Sequence, residues 1–311
     1  MTSGKLKKAI GVDIGATRLR IGVVTEDGDV ESIIAEDLKR DPRNPLGQLI
    51  QSVQSLPQVA RLAGIGIAIP GSVDQEAGCV RQAPNLPELN DQPIVEALHD
   101  RFKQRIEIEN DANSQLLAEA WCGSAVSCRN ALMLTIGTGL GGAALIDGRL
   151  LRGDDGMAGE FGHITVDPTG PRCGCGRRGC LECFASLIGL RHLAGYQGLD
   201  ARSLSGAEMA ARAAAGESIW RAIFCEMGRA LGQGLASLVN IFNVHRVIIG
   251  GGITEAWDLF MPEAERTLKR EAFRYPAARV VLSRSSFPSD RAGVIGAASL
   301  VLRPSKNDPE K

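Results

Sequence analysis

Seven residues near the start of the chain, AIGVDIG at 9–15, return as ALMLTIG at 131–137, at a constant offset of 122 residues (131 against 9). Each copy is a short apolar β-type run ending in glycine. It passes through small residues into a second β run and an acidic-Gly turn, at Asp27-Gly28 and at Asp147-Gly148. Glycine-bearing hairpins recur by chance, but a matched pair in matched order reads most economically as an internal duplication. That constrains the fold class to α/β, with two similar halves facing each other across a cleft of the kind ligands occupy. The 311 residues are enough for two cores or one divided α/β unit.

The rest of the pattern agrees with this class. Ile65–Ile69 reads as a buried strand stopped by Pro70-Gly71, and Ile106–Glu109 as a strand feeding a helix that opens at Asn110-Asp111. Arg246–Ile249 reads as a buried strand running into Gly250-Gly251-Gly252. Helical spacing predicts helices near 46–62, 207–215, 217–242, 257–272 and 292–302, followed by a polar tail at 305–311 that frays.

Charge and hydropathy exclude several functions. The 35 basic and 36 acidic residues leave a formal charge of -1 with no basic cluster beyond Lys5–Lys8, so no nucleic-acid footprint is expected. No run of about 18 uncharged apolar residues is present, and the first apolar run turns at Gly-Ala-Thr rather than at a cleavage site, so the expectation is a cytoplasmic protein with no membrane partner. Eight cysteines in such a chain are a poor disulfide scaffold, and four of them fall between 173 and 183.

Three of those four, with His163, carry the sharpest local signal. His163, Cys173, Cys175 and Cys180 supply one imidazole and three thiolates at short loop spacing, a tetrahedral set suited to Zn²⁺. Glycines at 174, 176 and 179 let the backbone fold tightly around it. Four protein ligands make a closed, structural site. Cys183 competes with Cys180 for the last place, but it follows Leu181-Glu182 at what reads as the start of a helix. Glu160-Phe161-Gly162-His163 and Glu182 bracket the loop. They are either solvated glutamates or carboxylates held ready for vicinal hydroxyls.

Asp13-Ile14-Gly15-Ala16-Thr17 and Thr135-Ile136-Gly137-Thr138-Gly139 are either plain glycine hairpins or facing cradles for phosphate oxygens, with Asp13 able to hold Mg²⁺ or its water. Gly250, Gly251 and Gly252 allow close approach of a base or its phosphates. Asn110-Asp111 is either a helix N-cap or, in the sharper reading, an orienting amide beside a general base that deprotonates a sugar hydroxyl attacking a terminal phosphate.

Together these motifs resemble the ROK family, bacterial sugar kinases and repressors of the actin-like ATPase (ribonuclease H-like) fold. The resemblance spans nearly the whole chain: Asp13-x-Gly15-x-Thr17, Pro70-Gly71, Pro84-Asn85-Leu86, Glu109-Asn110-Asp111-Ala112-Asn113, Gly137-Thr138-Gly139, Glu160-x-Gly162-His163, Cys173-x-Cys175-Gly176-x-x-Gly179-Cys180-x-Glu182 and Gly250-Gly251-Gly252. It implies ATP with Mg²⁺ between two lobes, Asp111 as catalytic base, and Asn85, Asn110, Glu160, His163 and Glu182 on the sugar. It also implies a first lobe of residues 1–113 completed by a helix at 292–303, a second lobe of 114–291, and assembly as a dimer or larger homo-oligomer. Ala16 departs from the family's usual second glycine and adds a methyl near the β-phosphate.

The repressors of the family carry a winged helix-turn-helix ahead of the matching part. Here Asp13 comes almost at once and Asp111 is present, so the expectation is a kinase, with a repressor or an inactive sugar-binding module as lesser alternatives. The expected reaction is in-line transfer of the γ-phosphoryl to the 6-hydroxyl of a hexose. Glu109–Asn113 and Glu160–His163 look most like the glucokinase branch, whereas Asp167-Pro168-x-Gly170-Pro171 also resembles N-acetylmannosamine kinases. N-acetylglucosamine and allose stay open, because discrimination depends on pocket shape near Pro84–Leu89.

Overall fold

The repeated heptads become equivalent strands. In the computed structural model, which describes residues 6–38, 45–57 and 59–303, Lys8–Ile14 pairs antiparallel with Arg18–Thr25 and parallel with Ile65–Ile69. Ala131–Ile136 pairs antiparallel with Leu140–Ile146 and parallel with Arg246–Gly250. The chain divides into two units. Met1–Arg129, Gly148–Ala158 and Ser286–Lys311 form one, and Asn130–Asp147 with Gly159–Ser285 form the other.

The first sheet has the order Val30–Asp37, Arg18–Thr25, Lys8–Ile14, Ile65–Ile69, Ile106–Asn110. The second places Leu140–Ile146, Ala131–Ile136, Arg246–Gly250 and Val281–Arg284 side by side. Hairpin first and parallel crossovers after is thus the plan of both, as the duplication requires. Asp13 and Thr135, alike in the repeat, stand opposite Ala68 and Gly250 on the parallel neighbour.

Glycines set how closely a helix covers the first sheet. Gly22, Gly11 and Gly66 are cross-strand neighbours in one row, and helix Ala292–Leu302 lies on that row. A Cβ on Gly11 would sit 1.9 Å from the Val294 carbonyl oxygen, and one on Gly66 1.8 Å from that of Ala297. On its other side Gly296 meets the Ser114 carbonyl, at 1.7 Å from a Cβ, so the same helix packs against Asp111–Cys122. The first-lobe limit expected at residue 113 therefore falls inside a helix that stays with the first unit. In the second unit Gly228 and Gly232, one turn apart on Ser218–Phe242, admit the backbone of helix Trp257–Glu271 in the same way.

Other differences have local causes. The helix expected over 46–62 runs only from Pro45 to Gln54, because Pro57 cannot continue the ladder, and a short 3₁₀ turn follows at Val59–Arg61. The glycine-cysteine segment at 168–183, which has no helical or strand period, is irregular except for isolated β-bridges of Arg172 with Arg178 and of Cys180 with Thr165 and a 3₁₀ turn at Leu181–Cys183. Helices Ile94–Phe102 and Leu187–Tyr196 and the edge strand Val30–Asp37 lacked a clear signal. The edge strand has no buried residue and no two-residue alternation, a mostly exposed pattern that reads as loop. The tail at 305–311 lies outside the described residues.

Candidate active site

Two of the three parallel strands of the first sheet, Lys8–Ile14 and Ile106–Asn110, bring candidate residues to the edge at which open α/β sheets bind ligands. Ile106–Asn110 passes without a break into helix Asp111–Cys122. Asn110 is its N-cap, the Oδ1 accepting from the Ala112 and Asn113 amides at 2.9 and 3.1 Å. The capping role is therefore filled by Asn110, and Asp111 stands on the first turn, its Oδ1 accepting from the Ala112 amide at 2.9 Å. Asn110 Nδ2 donates to the Gly71 carbonyl at 3.1 Å, and its second amide hydrogen has no partner among the described residues. Gly71, at φ 103°, has no room for a side chain, since a Cβ would lie 2.1 Å from the Gln82 carbonyl. The turn carrying Asn85 follows directly, closed by Leu86 N–H on the Ala83 carbonyl and by Ala83 N–H on Asn90 Oδ1, with Asn85 exposed at its tip.

Asp13 ends the central strand. Burial pushes its carboxyl above the usual range, and Arg20, 3.1 Å away, opposes that shift. Oδ2 takes the guanidinium, while Oδ1 has no partner among the described residues. Gly293 lies against the same carboxylate, where a Cβ would be 2.5 Å from Cγ. Neither partner was expected from sequence. Arg20 was recoverable, because counting back from the Gly15–Thr17 tip puts it opposite Asp13. The Gly15 amide closes the hairpin on the Arg18 carbonyl at 2.8 Å, and Thr17 is exposed beyond it.

The second unit gathers the remaining candidates. The Gly137 amide closes on the Gly139 carbonyl, and the first amides of helix Leu187–Tyr196 hold the same tip, Leu187 on Gly137 and Ile188 on Thr138. Gly251, at φ 90°, packs on Ile136, with 2.3 Å from a Cβ to its carbonyl oxygen, so Gly250, Gly251 and Gly252 share an edge with Thr138 and Gly139. Glu182 adds a link that the sequence did not suggest. Its Oε2 accepts from the Leu140 amide at 2.9 Å and lies where a Cβ on Gly139 would be, 2.3 Å away. Glu160 and His163 are carried by a turn pressed onto Leu140–Ile146, because Gly162 and Gly142 leave room for the Leu140 carbonyl and the Phe161 ring.

A ring nitrogen of His163 and the Sγ atoms of Cys173, Cys175 and Cys180 lie within 4.8 Å of one another, with 3.5 Å between Cys173 Sγ and His163 Nδ1 and 3.6 Å between Cys175 and Cys180. A tetrahedral zinc with Zn–S of about 2.3 Å gives donor separations of about 3.8 Å, so the donor set fits that ion. Burial pushes the Cys180 thiol up to about 12, whereas the Arg177 amide lowers that of exposed Cys175. Gly176 and Gly179 adopt φ of 90° and 66°, and Gly179 packs on the Asp167 carbonyl. Gly174 has neither constraint. Cys183 is buried on the 3₁₀ turn and is not in the cluster. His163 turns its other nitrogen, Nε2, toward Glu160 at 3.8 Å.

Residues 9–304 match the family model described as ROK family. The chain belongs to the ROK family. A glucokinase of Thermotoga maritima is 34% identical over 309 residues, covering 94% of this chain and 97% of its own. A xylose repressor of Caldicellulosiruptor bescii is 31% identical over 97% of this chain and 79% of its own. Among solved structures, a ROK family glucokinase from Streptomyces griseus in complex with glucose and AMPPNP superposes with a TM-score of 0.81 at 29% identity, covering 94% and 99% of the two chains. The α/β architecture is that of the two-lobed actin-like ATPase fold these ROK structures share. No helix among the described residues is long and apolar enough to cross a membrane.

Proposed function

We propose that this ROK protein transfers the γ-phosphoryl group of ATP to the 6-hydroxyl of a hexose, with glucose as its first substrate. The observation that carries the reading is the placement of Asp111. It stands on the opening turn of a helix at the same sheet edge as Asp13, while Asn110 holds the N-cap position and accepts from both the Ala112 and Asn113 amides. A helix N-terminus favours negative charge, the form a general base needs. The glucokinase names of relatives at 30–34% identity support the choice of sugar.

In this reading Asp111 accepts the proton of the attacking hydroxyl, and the remaining N–H of Asn110, the Asn85 amide, Glu160, His163 and Glu182 orient the sugar. Thr17, Thr138 and Gly139 hold phosphate oxygens, Gly15 shapes its hairpin, and Gly250, Gly251 and Gly252 admit the nucleotide. Asp13 would hold Mg²⁺ or its water, which offsets charge on the phosphates. Zn²⁺ on His163, Cys173, Cys175 and Cys180 would brace the turn that carries the sugar ligands, its closed shell leaving no place for a substrate. All eight cysteines are free, as suits a reducing cytoplasm, and we extend the reading to a cytoplasmic homodimer.

The test is Asp111→Asn. Turnover should fall at least about 100-fold while sugar affinity stays within about threefold. Turnover above a few per cent of wild type removes Asp111 as the base.

A further inference from the structure

Glu109 has no role in the reading above, yet it is among the most buried charged residues of the first unit, 2% exposed. Four donors converge on its carboxylate. Oε1 accepts from the Asn110 amide at 2.9 Å and from Asn113 Nδ2 at 3.0 Å, while Oε2 accepts from Gln75 Nε2 at 2.8 Å and Arg152 Nε at 2.8 Å. A buried carboxylate is tolerated when its lone pairs are filled and a cation is adjacent, and both conditions hold here.

The donors come from three separate segments. Asn110 and Asn113 belong to the turn that carries Asp111. Gln75 follows the Gly71–Asp74 hairpin arm, whose Gly71 carbonyl also takes Asn110 Nδ2. Arg152 opens the 152–158 segment that continues in sequence to Glu160. That segment docks on the same hairpin, with Ser72 Oγ donating to the Asp155 carbonyl at 3.4 Å and Gly156, at φ 71°, lying where a Cβ would be 2.4 Å from the Val73 carbonyl. Arg152 is bound through Nε alone. Among the described residues its two terminal nitrogens have no protein partner, and its side chain is 37% exposed.

We propose that Glu109 is a positioning residue for phosphoryl transfer, fixing the Asn110–Asp111 turn and the Arg152 segment against each other. This rests on Asp111 being the general base. Glu109 touches neither substrate nor nucleotide. It acts by holding the backbone amide of Asn110 and the guanidinium of Arg152 at one point, so that the turn carrying the base and the Arg152 segment keep a common frame within the first unit. A carboxylate is required because all four partners are donors. A glutamine at this position would turn its own N–H₂ toward two of them.

The experiment is steady-state kinetics on Glu109→Gln, Arg152→Ala and the double variant, with folding followed by circular dichroism and sugar affinity by calorimetry. Each single variant should lower kcat by about 10- to 100-fold while the sugar Kd stays within about threefold, as a base displaced by about an ångström would. The double variant should be no slower than the slower single, because both remove one shared contact. Folded Glu109→Gln with wild-type kcat overturns the proposal, as does a loss confined to sugar Kd, or losses that multiply in the double variant. If Glu109→Gln does not fold, a wild-type kcat in Arg152→Ala overturns it equally. A wild-type protein that phosphorylates no sugar sinks the kinase reading and this inference with it, whereas an active wild type with unaffected variants sinks the inference alone.

Discussion

At the residue scale, the chemistry rests on side chains whose environment is set by one or two neighbours. Asp13 shows the balance. Desolvation disfavours its charged form and raises the pKa, and Arg20 at 3.1 Å lowers it. Replacing Arg20 by Met leaves the desolvation unopposed, so the carboxyl should protonate at a higher pH. The acid limb of kcat/KM for Mg·ATP should then move upward in pH in Arg20→Met, and an acid limb that stays in place contradicts the role given to Asp13. The positions of Asp13 near a strand end and of Asp111 at a helix start were legible in the sequence from the neighbouring glycine and cap residues. The division of labour between Asn110 and Asp111 was not, because both residue types cap helices and only the hydrogen bonds of Asn110 decide which one does.

At the element scale, the C-terminal helix and the metal loop each hold a part of the site in place. Helix Ala292–Leu302 seats on Gly22, Gly11 and Gly66 and brings Gly293 to the Asp13 carboxylate. Gly66→Ala places a methyl 1.8 Å from a carbonyl oxygen, and thermal unfolding should show a loss of about 3 kcal/mol or more. A loss under about 1 kcal/mol would mean that the helix can lift without cost. The helix itself was legible to the residue, but the glycine row was not. Glycines at 11, 22 and 66 have no common period until strand register puts them side by side. The cysteine loop is the reverse case. The grouping of His163, Cys173, Cys175 and Cys180 into one four-donor cluster was legible from spacing, whereas the bond between Glu182 and the Leu140 amide, which ties the loop to the Gly137–Gly139 hairpin, depends on a contact 42 residues distant in sequence. That hairpin keeps its anchors on Leu187 and Ile188. Removing metal with a chelator should therefore weaken sugar binding about tenfold or more and ATP binding less, as calorimetry would read. Equal losses would assign the ion to overall folding.

At the scale of the whole molecule, the duplication first seen as three identities in seven residues is a repeated sheet plan, hairpin then parallel crossovers, in both units. That much was readable because a buried parallel strand is a continuous apolar run, and its end is punctuated by glycine. The sheet edges were not readable, since exposed edge strands have no such run. Nor does the sequence select among sugars. The turn at Pro84–Leu89, where discrimination between a hydroxyl and an N-acetyl group is expected, is fixed by backbone bonds and by Asn90, and Asn85 at its tip is exposed. The family itself spans names as different as glucokinase and xylose repressor at nearly equal identity. The central claim, that this chain is a catalytically competent hexose kinase, is tested most directly by a coupled assay with Mg·ATP over glucose, mannose, allose, N-acetylglucosamine and N-acetylmannosamine. The account predicts ATP-dependent phosphorylation, highest in kcat/KM for glucose and yielding the 6-phosphate. Purified, folded, metal-loaded protein that phosphorylates none of the five sugars would contradict it.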